Sequence, residues 1–167
     1  MNIADFLLRE LENEAKTTRR VLERVPADQL AWKPHAKSMS LGKLAQHVAS
    51  TPGAVAASSL ADSYPVENFQ PEPEPTTVEQ ILKAHEASMA AARSALAALD
   101  EAKAGAEWTM TAGGQPMLSM PRVDWIRIYM LNHWYHHRGQ LSVYLRELNV
   151  PVPAMYGPSA DENPGEA

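Results

Sequence analysis

Cysteine is absent from the 167 residues, and that absence removes several chemistries at once. No disulfide, cysteine-ligated zinc ribbon or cysteine nucleophile is available, so a metal ion can be held only by His, Asp or Glu. Long apolar runs are missing too, and nothing approaches the ~20 residues that a membrane-spanning helix needs. The start, Met1-Asn2-Ile3-Ala4-Asp5, has neither the basic segment nor the apolar stretch of a secretory signal. A cytoplasmic protein with no membrane partner is therefore expected. Basic charge is scarce: the net charge is −5 and no Lys/Arg-rich run occurs, which argues against a nucleic-acid partner. The eight glycines form no phosphate-cradling motif. What remains, 45% hydrophobic and 21% charged residues, suits a single soluble domain with a proper core.

Apolar residues recur at helical spacing in four stretches. Helix one is predicted from Ile3 to about Glu23, with Ala4, Leu8, Leu11, Ala15, Thr18 and Leu22 as its stripe and Val25-Pro26 as its end. A connection from Ala27 to Met39 contains Trp32-Lys33-Pro34-His35. Ser38 or Ser40 then opens helix two, whose apolar positions are Leu41, Leu44, Ala45 and Val48. Pro52 is expected to kink or stop this helix, because it deletes a hydrogen bond and crowds the Val48 carbonyl. Residues Asp62 to Thr76, with Pro65, Pro71, Pro73 and Pro75, read as a loop over the outside of the domain. Thr76 or Thr77 caps an Ala-rich helix three from Val78 to Leu99, with Glu79 or Gln80 placed to complete a capping box. His85, near its middle, is expected at an exposed or boundary position.

Residues Glu101 to Pro121 break the helical pattern, and Gly113-Gly114 between Trp108–Thr111 and Gln115–Leu118 suggests a small hairpin or extended excursion. Pro121 fits the first turn of helix four, Arg122 to Leu148. An all-α four-helix bundle follows, with the hairpin between helices three and four. It is read as one domain over residues 1–158, followed by a polar tail, 159–167, that frays from Ala160 onward.

Histidines carry the functional signal. On a 3.6-residue wheel Ile126, Met130, His133, His137, Leu141, Tyr144 and Leu148 share the inward face of helix four. Two imidazoles one turn apart among apolar side chains can converge on one cation, or they can be core or interface histidines satisfied by neighbours. Spacing alone does not decide, and the His-Glu-x-x-His arrangement of zinc peptidases is absent. His47 lies on the flank of the helix-two stripe. If helix two packs against helix four, His47 joins His133 and His137. Three neutral imidazoles would leave a coordination position open for water or substrate, and they suit a divalent transition ion such as zinc or nickel.

Two strings give this pattern a resemblance. One runs from Trp32-Lys33-Pro34-His35 through Lys37-Ser38 into Ser40-Leu41-Gly42-Lys43-Leu44-Ala45-Gln46-His47. The other is Asn132-His133-Trp134-Tyr135-His136-His137-Arg138-Gly139-Gln140-Leu141, followed by Val150-Pro151-Val152-Pro153 and Tyr156-Gly157-Pro158-Ser159. Over nearly its whole length the chain resembles the DinB-like (damage-inducible) superfamily of metal-binding four-helix bundles, related to the YfiT-like proteins. That resemblance implies a ligand triad of His47, His133 and His137, with His136 outside it in a packing or supporting role. It also implies a homodimer and a metal-dependent transferase that activates a low-molecular-weight thiol (bacillithiol, mycothiol or glutathione) for attack on an electrophile. The alternatives are a hydrolase in which the ion activates water, and a stress-associated metal-binding protein without turnover. No catalytic residue is assigned. Glu14, beside the helix-one stripe, is a candidate general base by position only.

Overall fold

The computed structural model describes residues 2–70, 72–163 and 165. Four helical stretches form its body: α1 (Ile3–Leu22), α2 (Leu41–Ser58), α3 (Val78–Ala97) and a continuous run near the C-terminus. That last run starts as α5 (Arg122–Trp125), passes through a π-helical segment (Ile126–Asn132) and continues as α6 (His133–Glu147). A five-residue α4 (Glu101–Gly105) follows α3. Each early helix has a side-chain cap that satisfies an orphan N–H. Asn2 accepts from the Asp5 N–H, Ser40 from Lys43, Thr77 from Gln80 and Asp100 from Lys103. Gln80 also reaches back to the Thr76 N–H at 2.8 Å.

The core lies where the helices meet, and it corrects three expectations. In α1 the buried face is Ala4, Leu7, Leu11, Ala15, Thr18, Val21 and Leu22, whereas Leu8 is only half-buried. The first step along the stripe is three residues, not four. Pro52 neither stops nor ends α2, which continues to Ser58. Its neighbour α3 supplies what the proline disturbs: the Gly53 N–H donates to Ser88 Oγ at 2.8 Å, and Ser88 Oγ donates to the Ser50 carbonyl at 3.1 Å. Gly53 makes this approach possible, since a Cβ there would stand 2.6 Å from Ser88 Cα. His85, expected at a boundary, is 3% exposed; its Nε2 donates to the Ala15 carbonyl at 3.2 Å.

The expected hairpin is present. β2 (Glu107–Ala112) and β3 (Gln115–Pro121) pair antiparallel, and the two-residue loop Gly113-Gly114 has φ of 55° and 77°. Positive φ at both positions is the type I′ geometry that only residues such as glycine adopt cheaply. The stretch read as a plain outer loop adds a third strand: β1 (Ser63–Pro65) pairs parallel with β2, giving the order β1-β2-β3. Proline is tolerated there because β1 is an edge strand. The helical fold thus carries a small sheet.

Just past the end of α6, Asn149 has a φ of 57° that lets the Val150 N–H return to the Leu145 carbonyl at 2.9 Å. The tail does not fray at Ala160. Asp161 pairs with Arg146 and accepts from the Val152 N–H, while Glu162 pairs with Arg20 and accepts from the Ala154 N–H. These contacts hold the tail against α1 and α6. Pro164, Glu166 and Ala167 of the expected tail lie outside the described residues.

Candidate metal centre

α2 lies against both the π-helical segment and α6, and this packing brings together histidines 86 residues apart in sequence. His47, His133 and His137 each offer one nitrogen within 4.8 Å of the others. The Nε2 atoms of His47 and His133 are 3.0 Å apart. Two nitrogens that each sit about 2.1 Å from a shared ion are roughly 3.0–3.4 Å from one another, so this pair has the spacing of ligands. The rings meet edge to face, with centroids 5.2 Å apart for His47–His133, 4.5 Å for His47–His137 and 4.4 Å for His133–His137.

Neighbouring side chains set the tautomers. Gln140 Oε1 can only accept, so His137 Nδ1 donates to it at 2.7 Å and leaves the Nε2 lone pair free. Thr51 Oγ1 donates to the His47 carbonyl at 2.7 Å, so its oxygen is free to accept from His47 Nδ1 at 3.3 Å. His47 Nε2 then also carries a lone pair. Such donor-to-acceptor support of the far ring nitrogen is how metal-binding imidazoles are oriented. All three rings are held neutral. Burial and then the neighbouring His137 and His133 push His47 down to about 4. Burial is also the main cause for His133, with further depression from His137 and His136, and for His137, where the Gln140 hydrogen bond opposes it and His136 adds to it. No proton has to be displaced near pH 7 before these nitrogens can bind a cation.

The expected inward face holds at Ile126, Met130 and Leu141, all fully buried, although the run passes through a π-helical segment with more than 3.6 residues per turn. In α6 the buried positions are Trp134, Arg138, Leu141 and Leu145. His133 and His137 sit on the adjoining flank, half-buried, and Tyr144 and Leu148 are half-buried as well. His136 is exposed, with its ring 4.9 Å from that of His137, and His35 is exposed on its turn. Neither belongs to the cluster.

Glu14 is engaged elsewhere. Its Oε2 accepts from Arg138 at 2.5 Å and from the Tyr156 hydroxyl at 3.0 Å. Arg138, 1% exposed, also donates to Thr18 Oγ1 at 2.9 Å. This is a tie between α1, α6 and the C-terminal segment, and Glu14 does not line the site.

Sequence reasoning missed the space beside the triad. A cavity of about 450 Å³ opens against His47 and His133, walled by α2, the loop after β1 and the start of the last helical run. Its one carboxylate among the described residues is Glu72, and its one cationic side chain is Lys43. Its aromatic lining, Phe69, Trp125 and Tyr129, belongs to none of the sequence patterns described above. Thr51 and Gln140 were missed too, although both stand one helical turn from a histidine.

Known proteins share this arrangement of the chain. The uncharacterized protein YrdA of Bacillus subtilis (strain 168) is 26% identical over 166 residues, covering 95% of this chain and 90% of YrdA. A DinB-like protein from Bacillus cereus superposes with a TM-score of 0.72 at 23% identity, covering 93% of this chain and 98% of the other. The DinB-like protein YjoA from Bacillus subtilis gives a TM-score of 0.70 at 21% identity, with 89% and 96% covered. These structural likenesses concern the fold. The DinB family profile matches residues 1–166, and the chain therefore belongs to the DinB family.

Proposed function

We propose that this chain is a metal-dependent transferase that joins a low-molecular-weight thiol to an electrophile, with zinc or nickel held by His47, His133 and His137. The observation that carries the reading is a cluster of three neutral imidazoles, two of which, His47 and His133, border a ligand-sized cavity. A purely structural triad would have no use for such a space. A divalent ion supplies Lewis acidity that lets a thiol or a water lose its proton near neutral pH.

The chain's own part is to hold and to seat. His47 and His133 border the cavity, while Thr51 and Gln140 keep the rings turned inward. The thiol proton passes to solvent, its sulfur forms a bond to the electrophilic carbon, and the leaving group departs with the electron pair of the broken bond. No basic side chain is required for this, which accords with the engagement of Glu14 by Arg138. Hydrolysis, with water in place of the thiol, is the second reading, and the same neutral triad supports it. Cytoplasmic thiol pools and a homodimeric assembly belong to the first reading.

Purified protein should bind close to one zinc or nickel per chain. The metal-loaded form is then offered bacillithiol, mycothiol, glutathione and coenzyme A with a panel of electrophiles. Metal-dependent loss of thiol is the expected result. Equal background rates with and without metal in every combination would sink the transferase reading, and metal-dependent hydrolysis without thiol consumption would replace it with the second.

A further inference from the structure

Three aromatic residues, Phe69, Trp125 and Tyr129, line the cavity with the histidines, and Trp108 backs them from the core. Trp125 stacks on Trp108 with centroids 4.0 Å apart, Tyr129 lies tilted against Trp125 at 4.3 Å, and Phe69 is tilted against it at 6.4 Å. The two indole N–H groups are turned away from a ligand. The Trp108 indole N–H donates to the Ser58 carbonyl at 3.1 Å, and the Trp125 indole N–H donates to Ser58 Oγ at 3.1 Å. Both indoles are thereby locked to α2, and their N–H groups are unavailable to a bound molecule. Phe69, Trp125, Tyr129 and Met110 therefore offer mainly carbon, π faces and a polarizable sulfur to the cavity. The wall is also preformed, so little ordering cost attends binding.

Thiols of the class considered above are small, charged and densely polar. Seating one against these aromatic faces would strip water from its carboxylates, amides or hydroxyls without returning hydrogen bonds. An aromatic or similarly apolar group loses nothing there. The cavity's hydrogen-bonding side chains, Lys43, Gln46, Ser50, Gln70 and Glu72, belong to α2 and to the loop after β1. Room is ample, since an apolar cavity of about 150 Å³ accepts benzene and this one has about 450 Å³. The two faces of the triad differ accordingly. His47 and His133 border the cavity and His137 does not, while His136 and Gln140, beside His137, are exposed to water.

We propose that the cavity seats the electrophile, a substrate bearing an aromatic ring or a bicyclic-sized apolar group, and that the polar thiol reaches the triad from the water-exposed His137 side. The identification of the occupant as the electrophile rests on the transferase reading. The binding preference of the cavity does not.

The test is calorimetric titration of the zinc-loaded protein with 1-naphthylmethanol, alone and in the presence of glutathione. Wild type should bind the naphthyl probe. Ala54→Trp, at an exposed α2 position lining the cavity, should fill the space and weaken that binding about tenfold or more while zinc binding stays unchanged. Phe69→Ala, on the loop wall, should weaken it as well and guards against misfolding of the first variant. Glutathione should not displace the probe. No naphthyl binding to wild type, unchanged binding in both variants, or displacement by glutathione would each overturn the assignment. If the naphthyl probe binds as expected but no thiol is ever consumed, the transferase reading fails and the apolar pocket stands.

Discussion

The Arg138–Glu14 pair allows a prediction worked from distances and burial. Arg138 has 1% of its side chain exposed and Glu14 has 14%, with nitrogen and oxygen 2.5 Å apart. Arginine cannot shed its proton inside a protein, so its charge must be answered where it lies. Glu14→Gln removes the answering charge and leaves the guanidinium with Thr18, Tyr156 and the Tyr135 and Tyr156 ring faces, 5.4 and 5.2 Å away. That should cost about 3–5 kcal/mol, the range for breaking a buried pair from one side. Arg138→Met leaves Glu14 instead, which keeps the Tyr156 hydroxyl and some contact with water, so about 2–3 kcal/mol is expected. The double variant Arg138→Met/Glu14→Leu strands no charge and should lie closer to wild type than the sum of the single losses. Urea unfolding read by fluorescence gives the three values, provided the slopes agree. Single losses that simply add would show that the two groups do not act as a pair, and the reasoning would be refuted. A larger loss for Arg138→Met than for Glu14→Gln would refute the charge argument.

Three further outcomes follow from the site. His47→Ala, His133→Ala and His137→Ala should each abolish tight zinc binding, whereas His35→Ala, His85→Ala and His136→Ala should retain it; His85→Ala should lower the urea midpoint, because that ring is buried on the Ala15 carbonyl. Thr51→Val and Gln140→Leu should weaken zinc by about 10–100-fold in competition titrations, the usual cost of losing an orienting partner; unchanged affinity would show that the tautomers are not set by these side chains. His47 is held down to about 4 against an ordinary 6.5, so the unfolded chain binds more protons between those values. Stability of the metal-free protein should therefore be full above pH ~6.5 and fall as pH drops towards ~4, by about 1–2 kcal/mol once the half-exposure of the ring is allowed for. His47→Ala should flatten the pH dependence of the urea midpoint, and an unaltered slope would remove His47 as its source.

Local periodicity is legible without a structure because each helix buries a stripe that its own residues define. The four helices, the Ser40 and Thr77 caps and the Gly113-Gly114 turn are of this kind: each depends on neighbours within a few positions. The histidines of the candidate site were also legible as residues, from their spacing and from the strings around them. Where the local reading failed, a distant partner had intervened. Past Pro52 α2 runs on to Ser58 with Ser88 of α3 bonded to the Gly53 N–H and the Ser50 carbonyl, and the buried His85 finds its acceptor on Ala15 of α1. On the last helix the wheel found Ile126, Met130 and Leu141 in the core, but the π-helical segment between Ile126 and Asn132 is something no 3.6-residue pattern contains. Tertiary structure alone decided that His47 meets His133 at 3.0 Å, that Glu14 is spent on Arg138, and that Trp108 and Trp125 are pinned to Ser58. Each of these depends on side chains between 50 and 124 residues apart, and a sequence carries no local signal for which of its distant parts will touch.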